Sequence, residues 1–211
     1  MKTDNLIGML ATGAGPAPRA VVARRLAPVL LGGAAASALL AVGFIGLVPT
    51  TLFDDGAWWA KFGYAGGLAL TLTWPFATLA RPVGRTHTPW RLVGALVAAM
   101  TLLGLWQLVQ ADPGARSTLL LGHSFATCPW NVLLLSLPAM AGAFWALRGL
   151  APTRPRAAGL AAGLLAGAVG AAGYALSCTE LSMAFVATWY TLGIALTGAL
   201  GALLGPRFLH W

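Results

Sequence analysis

Charge is scarce in this chain: 13 Lys and Arg and 5 Asp and Glu amount to 9% of 211 residues, where a soluble domain carries about 25%. With 58% of residues hydrophobic, that shortage excludes most soluble enzymes and any long disordered tail. Cysteine is limited to Cys128 and Cys178, and without a C-x-x-C pair a dithiol oxidoreductase is disfavoured. There is no Walker loop, dinucleotide fingerprint, H-E-x-x-H, or G-x-S-x-G after a strand. Strand alternation, solenoid repeats and low-complexity tracts are missing too. The 27 glycines and 13 prolines follow no collagen period.

What is present is long apolar sequence. A membrane helix needs about 20 mostly apolar residues, and six stretches qualify: Leu26–Val48, Trp58–Leu79, Trp90–Gln110, Cys128–Leu147, Ala157–Ser177 and Met183–Leu204. Short polar or proline-bearing breaks separate them. The first is too long for a secretory h-region and reads as a retained span. The expected architecture is all-α: a polytopic membrane protein of six transmembrane helices with short loops. Residues 1–25 form an N-terminal segment with a basic linker, 26–204 the transmembrane domain and 205–211 a tail.

With both termini cytoplasmic, eleven basic residues face inward and only Lys61 and Arg116 outward, a strong positive-inside bias. Topology thus explains the net charge of +8, and no nucleic-acid partner is needed. The location expected is a bacterial inner membrane, multi-pass in lipid. Lys61 sits near enough to an outer end to snorkel. Trp58, Trp59 and Trp130 fit the outer aromatic belt, and Trp90, Trp145 and Trp211 the inner one; Trp74, Trp106 and Trp189 read as packing residues. No acid, Arg or His lies mid-span, which counts against an ion-coupled transporter. Polar span residues such as Thr71, Thr73, Thr101, Gln107, Asn131, Thr188 and Thr197 suit interhelical hydrogen bonds.

Gly159, Gly163, Gly167, Gly170 and Gly173 make a run of close-packing glycines, echoed by Gly201 and Gly205. Such faces pack inside one chain or form a homodimer; the first is the default. Cys128 opens the fourth span and Cys178 closes the fifth. The two arms of that hairpin are nearly equal, about 30 Å each, so both thiols reach the same outer level. A disulfide, a soft metal ion held with His123 or Glu180, and two free buried thiols are all open. No resident cofactor is expected beyond such an ion acting as a signal.

The N-terminus reads K-T-D-N-L-I-G-M-L-A. Thr3 is a reasonable N-cap with Asp4 in the first turn, and Leu6, Ile7 and Leu10 form one apolar stripe. A helix this short is marginal alone; it suits a partner's groove, a membrane surface or a frayed end.

Together these residues resemble the NrsF family, six-span bacterial anti-sigma factors. The resemblance rests on Lys2-Thr3-Asp4-x-Leu6-Ile7, Leu121-Gly122-His123-Ser124, Cys128-Pro129 and Leu135-Ser136-Leu137-Pro138. It continues through Arg148-x-x-Ala151-Pro152-Thr153-Arg154-Pro155, the glycine run, Cys178-x-Glu180, Phe185-Val186, Trp189-Tyr190 and Gly205-x-x-Phe208-Leu209-His210-Trp211. Asn5 departs from it, standing where an acid is expected. The resemblance implies a non-enzymatic regulator that holds an extracytoplasmic-function sigma factor through Thr3, Asp4, Leu6, Ile7 and Leu10. It further implies release when a sensor containing Cys128 and Cys178 meets metal or oxidative stress. The rival readings are a small-solute or metal carrier or channel, and a membrane thiol oxidoreductase.

Overall fold

A computed structural model describes residues 21–80, 87–150 and 152–209, with Thr3 and Gly8. The described residues are helical and contain no strand. Six long helices follow one another: α1 (Val21–Phe44), α2 (Gly56–Leu79), α3 (His87–Gln110), α5 (Cys128–Arg148), α6 (Pro155–Tyr174) and α7 (Met183–Phe208). One short helix, α4 (Arg116–Leu121), and one 3-10 turn (Thr50–Asp54) sit in the connections. Residues Val186–Tyr190 of α7 are π-helical.

Five of the long helices, α1, α3, α5, α6 and α7, are long and apolar enough to cross a membrane. At 24 residues α2 is as long as α1 and α3, but Lys61, four Trp and Tyr residues, and its Gly and Thr positions dilute its hydropathy below theirs. Some ends move from their expected places. The first helix starts at Val21 and stops at Phe44, four residues short of Val48, because Gly46 takes a left-handed φ of 99°. The chain then runs extended, and the Val48 amide donates to the Leu176 carbonyl at 3.0 Å. Likewise α6 ends at Tyr174, three residues before Ser177, in a tightened turn where the Leu176 amide reaches the Gly173 carbonyl.

The centre of the bundle is α6: 78% of its most apolar window is buried, against 11% for α3. It packs on α7, α5, α2 and α1, while α3 lies outside against α2 and the start of α7. The glycines explain how one helix touches so many neighbours. A Cβ on Gly163 would stand 3.0 Å from Gly198 Cα and 3.1 Å from Gly201 Cα. Gly159 faces Gly201 and Gly205 in the same way, Gly170 faces Ser136 of α5, and Gly173 faces Ser37 of α1. The glycine faces of α6 and α7 are thus used against each other inside the chain.

Threonine hydroxyls in the long helices mostly bond to their own helix. Thr71, Thr73, Thr101 and Thr188 each donate to a carbonyl three or four residues back, in place of the interhelical role expected of them, while Thr197 donates to the Gly193 carbonyl and also accepts from Ser136 of α5 at 3.4 Å. The expected cross-helix bonds are made at Asn131, which donates to Tyr174 at 3.3 Å, and at Gln107, which holds the start of α7, and Tyr64 pairs with Thr191 at 2.7 Å. Trp74 and Trp106 were expected to pack, yet they are exposed on the bundle's outer faces.

The glycine contact can be tested directly. Gly163→Leu is expected to force α6 and α7 apart at a cost of about 1–3 kcal/mol or more, whereas Gly94→Leu, on an exposed face of α3 with nothing within 4 Å, is expected to be neutral. Thermal unfolding in detergent, with folded yield from membranes, checks the pair.

Candidate functional site

The helix break between α6 and α7 leaves the carbonyls of residues 175–181 without intrahelical partners, as any helix end does. Three side chains from other helices collect around this segment. From α2, Lys61 donates its ammonium to the Cys178 carbonyl at 2.6 Å and to the Glu180 carbonyl at 3.0 Å. Lys61 is fully buried, so it does not snorkel as its position in the chain suggested. One turn earlier Trp58, also buried rather than in a belt, donates its indole N–H to Ala175 at 3.1 Å. From α3, Gln107 offers one oxygen to three donors, the Ser182 hydroxyl at 3.0 Å and the amides of Met183 at 2.8 Å and Ala184 at 3.2 Å. Ser182 itself caps α7 by accepting from the Phe185 amide.

Both cysteines belong to this cluster, and both are free and buried. Cys128 begins α5, its amide held by the Ser124 carbonyl at 2.8 Å. Cys178 lies within electrostatic reach of Cys128, as the equal hairpin arms predicted for their depth. The ionisable groups facing Lys61 are the two thiols and Glu180. The hydroxyls of Tyr174 and Tyr190 stand beside the Cys178 thiol, and the two rings lie 5.7 Å apart. Asn131 donates to the Tyr174 hydroxyl. The Tyr190 hydroxyl is fully buried and approaches Cys178 without completing a hydrogen bond.

The Glu180 carboxylate accepts from the His123 amide at 2.6 Å. That contact closes a turn at Gly122, whose φ of 57° and missing side chain admit the carboxylate; a Cβ there would lie 2.7 Å from it. The His123 side chain is exposed. Among the described residues no group of three or more His, Cys, Asp and Glu is arranged to hold a metal ion. Cys128, Cys178, His123 and Glu180 therefore share a region without forming a coordination set.

Of the five residues expected to bind a partner, Thr3 is helical and exposed, while Asp4, Leu6, Ile7 and Leu10 lie outside the described residues. Sequence reasoning found the cysteines but missed Lys61, Trp58, Gln107, Tyr174 and Tyr190. The available signals were Lys61 itself, a cation several residues inside an apolar stretch, and Gln107 near a span's end.

Known proteins give the cluster a context. A family model described as negative regulator of sigma F, NrsF, matches residues 10–211. A probable anti-sigma-F factor NrsF of Azospira oryzae is 38% identical over 217 residues, covering all of both chains. The anti-sigma-F factor NrsF of Caulobacter vibrioides is 38% identical over 215 residues, again covering all of both. No solved structure matches the chain significantly.

The anchoring of the 175–182 segment yields a stability prediction. Gln107→Leu strands three donors, each costing about 1–3 kcal/mol if left buried and unpaired, and is expected to lower the thermal midpoint clearly. Gln107→Glu retains an acceptor and is expected to recover most of the loss in the same detergent melt.

Proposed function

The chain belongs to the NrsF family, negative regulators of sigma F, and from that premise we propose that it is a membrane-embedded anti-sigma factor, a regulator rather than an enzyme. The observation that carries the reading is the match along nearly the whole chain, with full-length relatives named as anti-sigma-F factors. In this reading α2 is the sixth span: at about 36 Å it is long enough, and it is packed between α6 and α3. The termini are cytoplasmic in the inner membrane, as the positive-inside bias supports. The sigma factor held is of the extracytoplasmic-function type. Its ligand is the N-terminal segment, with Leu6, Ile7 and Leu10 entering an apolar groove and Thr3 and Asp4 starting the helix.

Cys128 and Cys178 form the sensor at the opposite end. Oxidation would join their sulfurs, passing two electrons to the oxidant with loss of both thiol protons; a soft metal ion would instead take the thiolates. Either event changes the segment that Lys61 and Gln107 hold. Switching a partner from mostly bound to mostly free requires about 5.5 kcal/mol of preference between two states. A disulfide supplies about 2–4 kcal/mol, so the resting balance has to be shallow. The burial of both thiols in one cluster supports a paired role.

The first test is a detergent pull-down of the full-length protein from its own host beside a form lacking residues 1–19. A sigma factor retained only by the full-length protein is the expected result, and its absence from both would end the anti-sigma reading. Cells carrying Cys128→Ser with Cys178→Ser are expected to keep the sigma factor bound under oxidant or metal stress; a normal release would sink the sensor assignment.

A further inference from the structure

Between them α5 and α7 leave a groove of about 410 Å³, lined by Leu137, Met140, Ala141, Phe144 and Leu204, with Arg148 and Phe208 at one end. Met140 and Phe144 are its buried floor, while Leu137 and Trp145 stand exposed at its open side. From Leu137 to Arg148 is eleven residues, about 16 Å of helix. That is about half the thickness of a bilayer's hydrocarbon core, so the groove is one leaflet deep and carries a cation at headgroup level. The cation is held in place. Arg148 Nε donates to the Phe208 carbonyl at 3.0 Å, and its guanidinium carbon lies 5.4 Å from the centre of the Phe208 ring. That bond uses Nε and leaves the Nη pair as a fork for phosphate. A second guanidinium, that of Arg25 on α1, lies 6.0 Å from the centre of the Trp145 ring and takes the space a side chain at Gly149 would fill. Two cations thus gather at the end of α5. The described acids, Asp54, Asp55, Asp112 and Glu180, all lie in the connections at the other end of the bundle. Two further grooves along α1 and α2 are lined by no charged residue and have nothing to select one lipid from another.

We propose that the groove between α5 and α7 binds one anionic phospholipid of the cytoplasmic leaflet, with its phosphate on Arg148, Arg25 as the second cation, and an acyl chain laid over Met140 and Phe144. Basic pockets between membrane helices on the cytoplasmic side take such headgroups, and a guanidinium meets a phosphate with two parallel hydrogen bonds. The depth of the groove favours a lipid over an acidic protein surface, which would meet Arg148 but leave the apolar length below it empty. Because Arg25 belongs to α1, the headgroup would bridge α1 to the ends of α5 and α7. The assignment rests on the membrane reading and its orientation; it does not require the sigma factor.

The experiment is native mass spectrometry of the full-length protein in a neutral detergent, titrated with phosphatidylglycerol or with phosphatidylcholine of the same chain length. The first phosphatidylglycerol is expected to bind about tenfold more tightly than phosphatidylcholine, the scale of one charge-assisted contact. Arg148→Gln is expected to lose that preference, and Arg148→Lys, which keeps the charge, to retain most of it. Ala141→Trp fills the groove from its exposed side and is expected to abolish the tight phosphatidylglycerol site while leaving the lipid-free thermal midpoint unchanged. Arg154→Gln removes the same charge at the N-cap of α6, outside the groove, and is expected to keep the preference. A merely structural arginine would lower the lipid-free midpoint in Arg148→Gln without changing the preference between lipids. Three results overturn the proposal: an unchanged preference in Arg148→Gln, an equal loss in Arg154→Gln, which would mean diffuse attraction, or an Arg148→Gln effect confined to sigma-factor retention, which would give the arginine to a protein partner. Failure of the sigma-factor pull-down would defeat the anti-sigma reading and leave this titration to be judged on its own.

Discussion

A charged nitrogen inside an apolar bundle must find acceptors within the protein, because lipid offers none. Lys61 meets that requirement with backbone carbonyls, and only a break in helical structure can provide them: within a helix the carbonyls are already occupied by amides four residues on. The break at residues 175–182, the position of α2 beside it, and the placement of both thiols are therefore one arrangement. Remove the acceptors and α2 could not keep Lys61 buried; remove Lys61 and Cys178 loses the contact that sets its backbone. Trp58 and Gln107 reinforce the same segment from either side. The outcome is a loop that is short, polar in its backbone, and fastened at most of its turns.

The rest of the bundle divides by packing. Glycine lets α6 approach α7, α5 and α1 at backbone distance, and interfaces this close gain their energy from van der Waals contact rather than from exclusion of water. The outer helix α3 makes one such approach, at Gly104 against the Ala184 backbone, and reaches the core mainly through the start of α7. A rigid centre with a peripheral clamp is a sensible base for a switch: the centre transmits displacement, and the clamp can yield. The π-helical turn at Val186–Tyr190 lies between these regions, and such turns often accompany functional sites. It is also what carries the Tyr190 ring toward Tyr174.

How far the sequence could be read follows from what hydropathy measures. It reports depth, so the long helices, the equal arms of the hairpin and the shared level of the cysteines were all legible. It does not report direction around a helix when every face is apolar. Trp74 and Trp106 were placed inward and face outward, and Trp58 was assigned to a belt and is buried, for that reason. Lys61 shows the same limit more sharply. Its distance from the span's end was compatible with snorkelling, and only the tertiary partner on the α6–α7 connection turns it inward. Thr71, Thr73, Thr101 and Thr188 were misassigned because a hydroxyl on a helix can always bond its own preceding turn, an option that needs no partner helix.

Any signal at the thiols must cross the bundle to reach residues that precede α1, and the packing restricts how. Cys178 follows α6 by one turn, and α6 meets α1 through Gly170, Gly173 and Ser37, where the Ser37 hydroxyl reaches the Gly170 carbonyl at 3.5 Å. The first helix continues without interruption from that contact back to Val21, directly after the N-terminal segment. It also lies against α5, so both arms of the cysteine hairpin touch it. A change in the spacing of those arms therefore cannot be absorbed by side chains alone: Gly173 and Ser37 are already at backbone contact, and close-packed interiors pass strain on rather than dissipate it. A tilt of α1 is one motion that would answer such a change. Because α1 is the anchor of the proposed sigma-binding segment, a tilt would alter where that segment is presented without any need to unfold it. The physical demand on the proposed sensor is then modest, a shift in one helix contact rather than a rearrangement of the bundle, which accords with the limited energy a single thiol pair can supply.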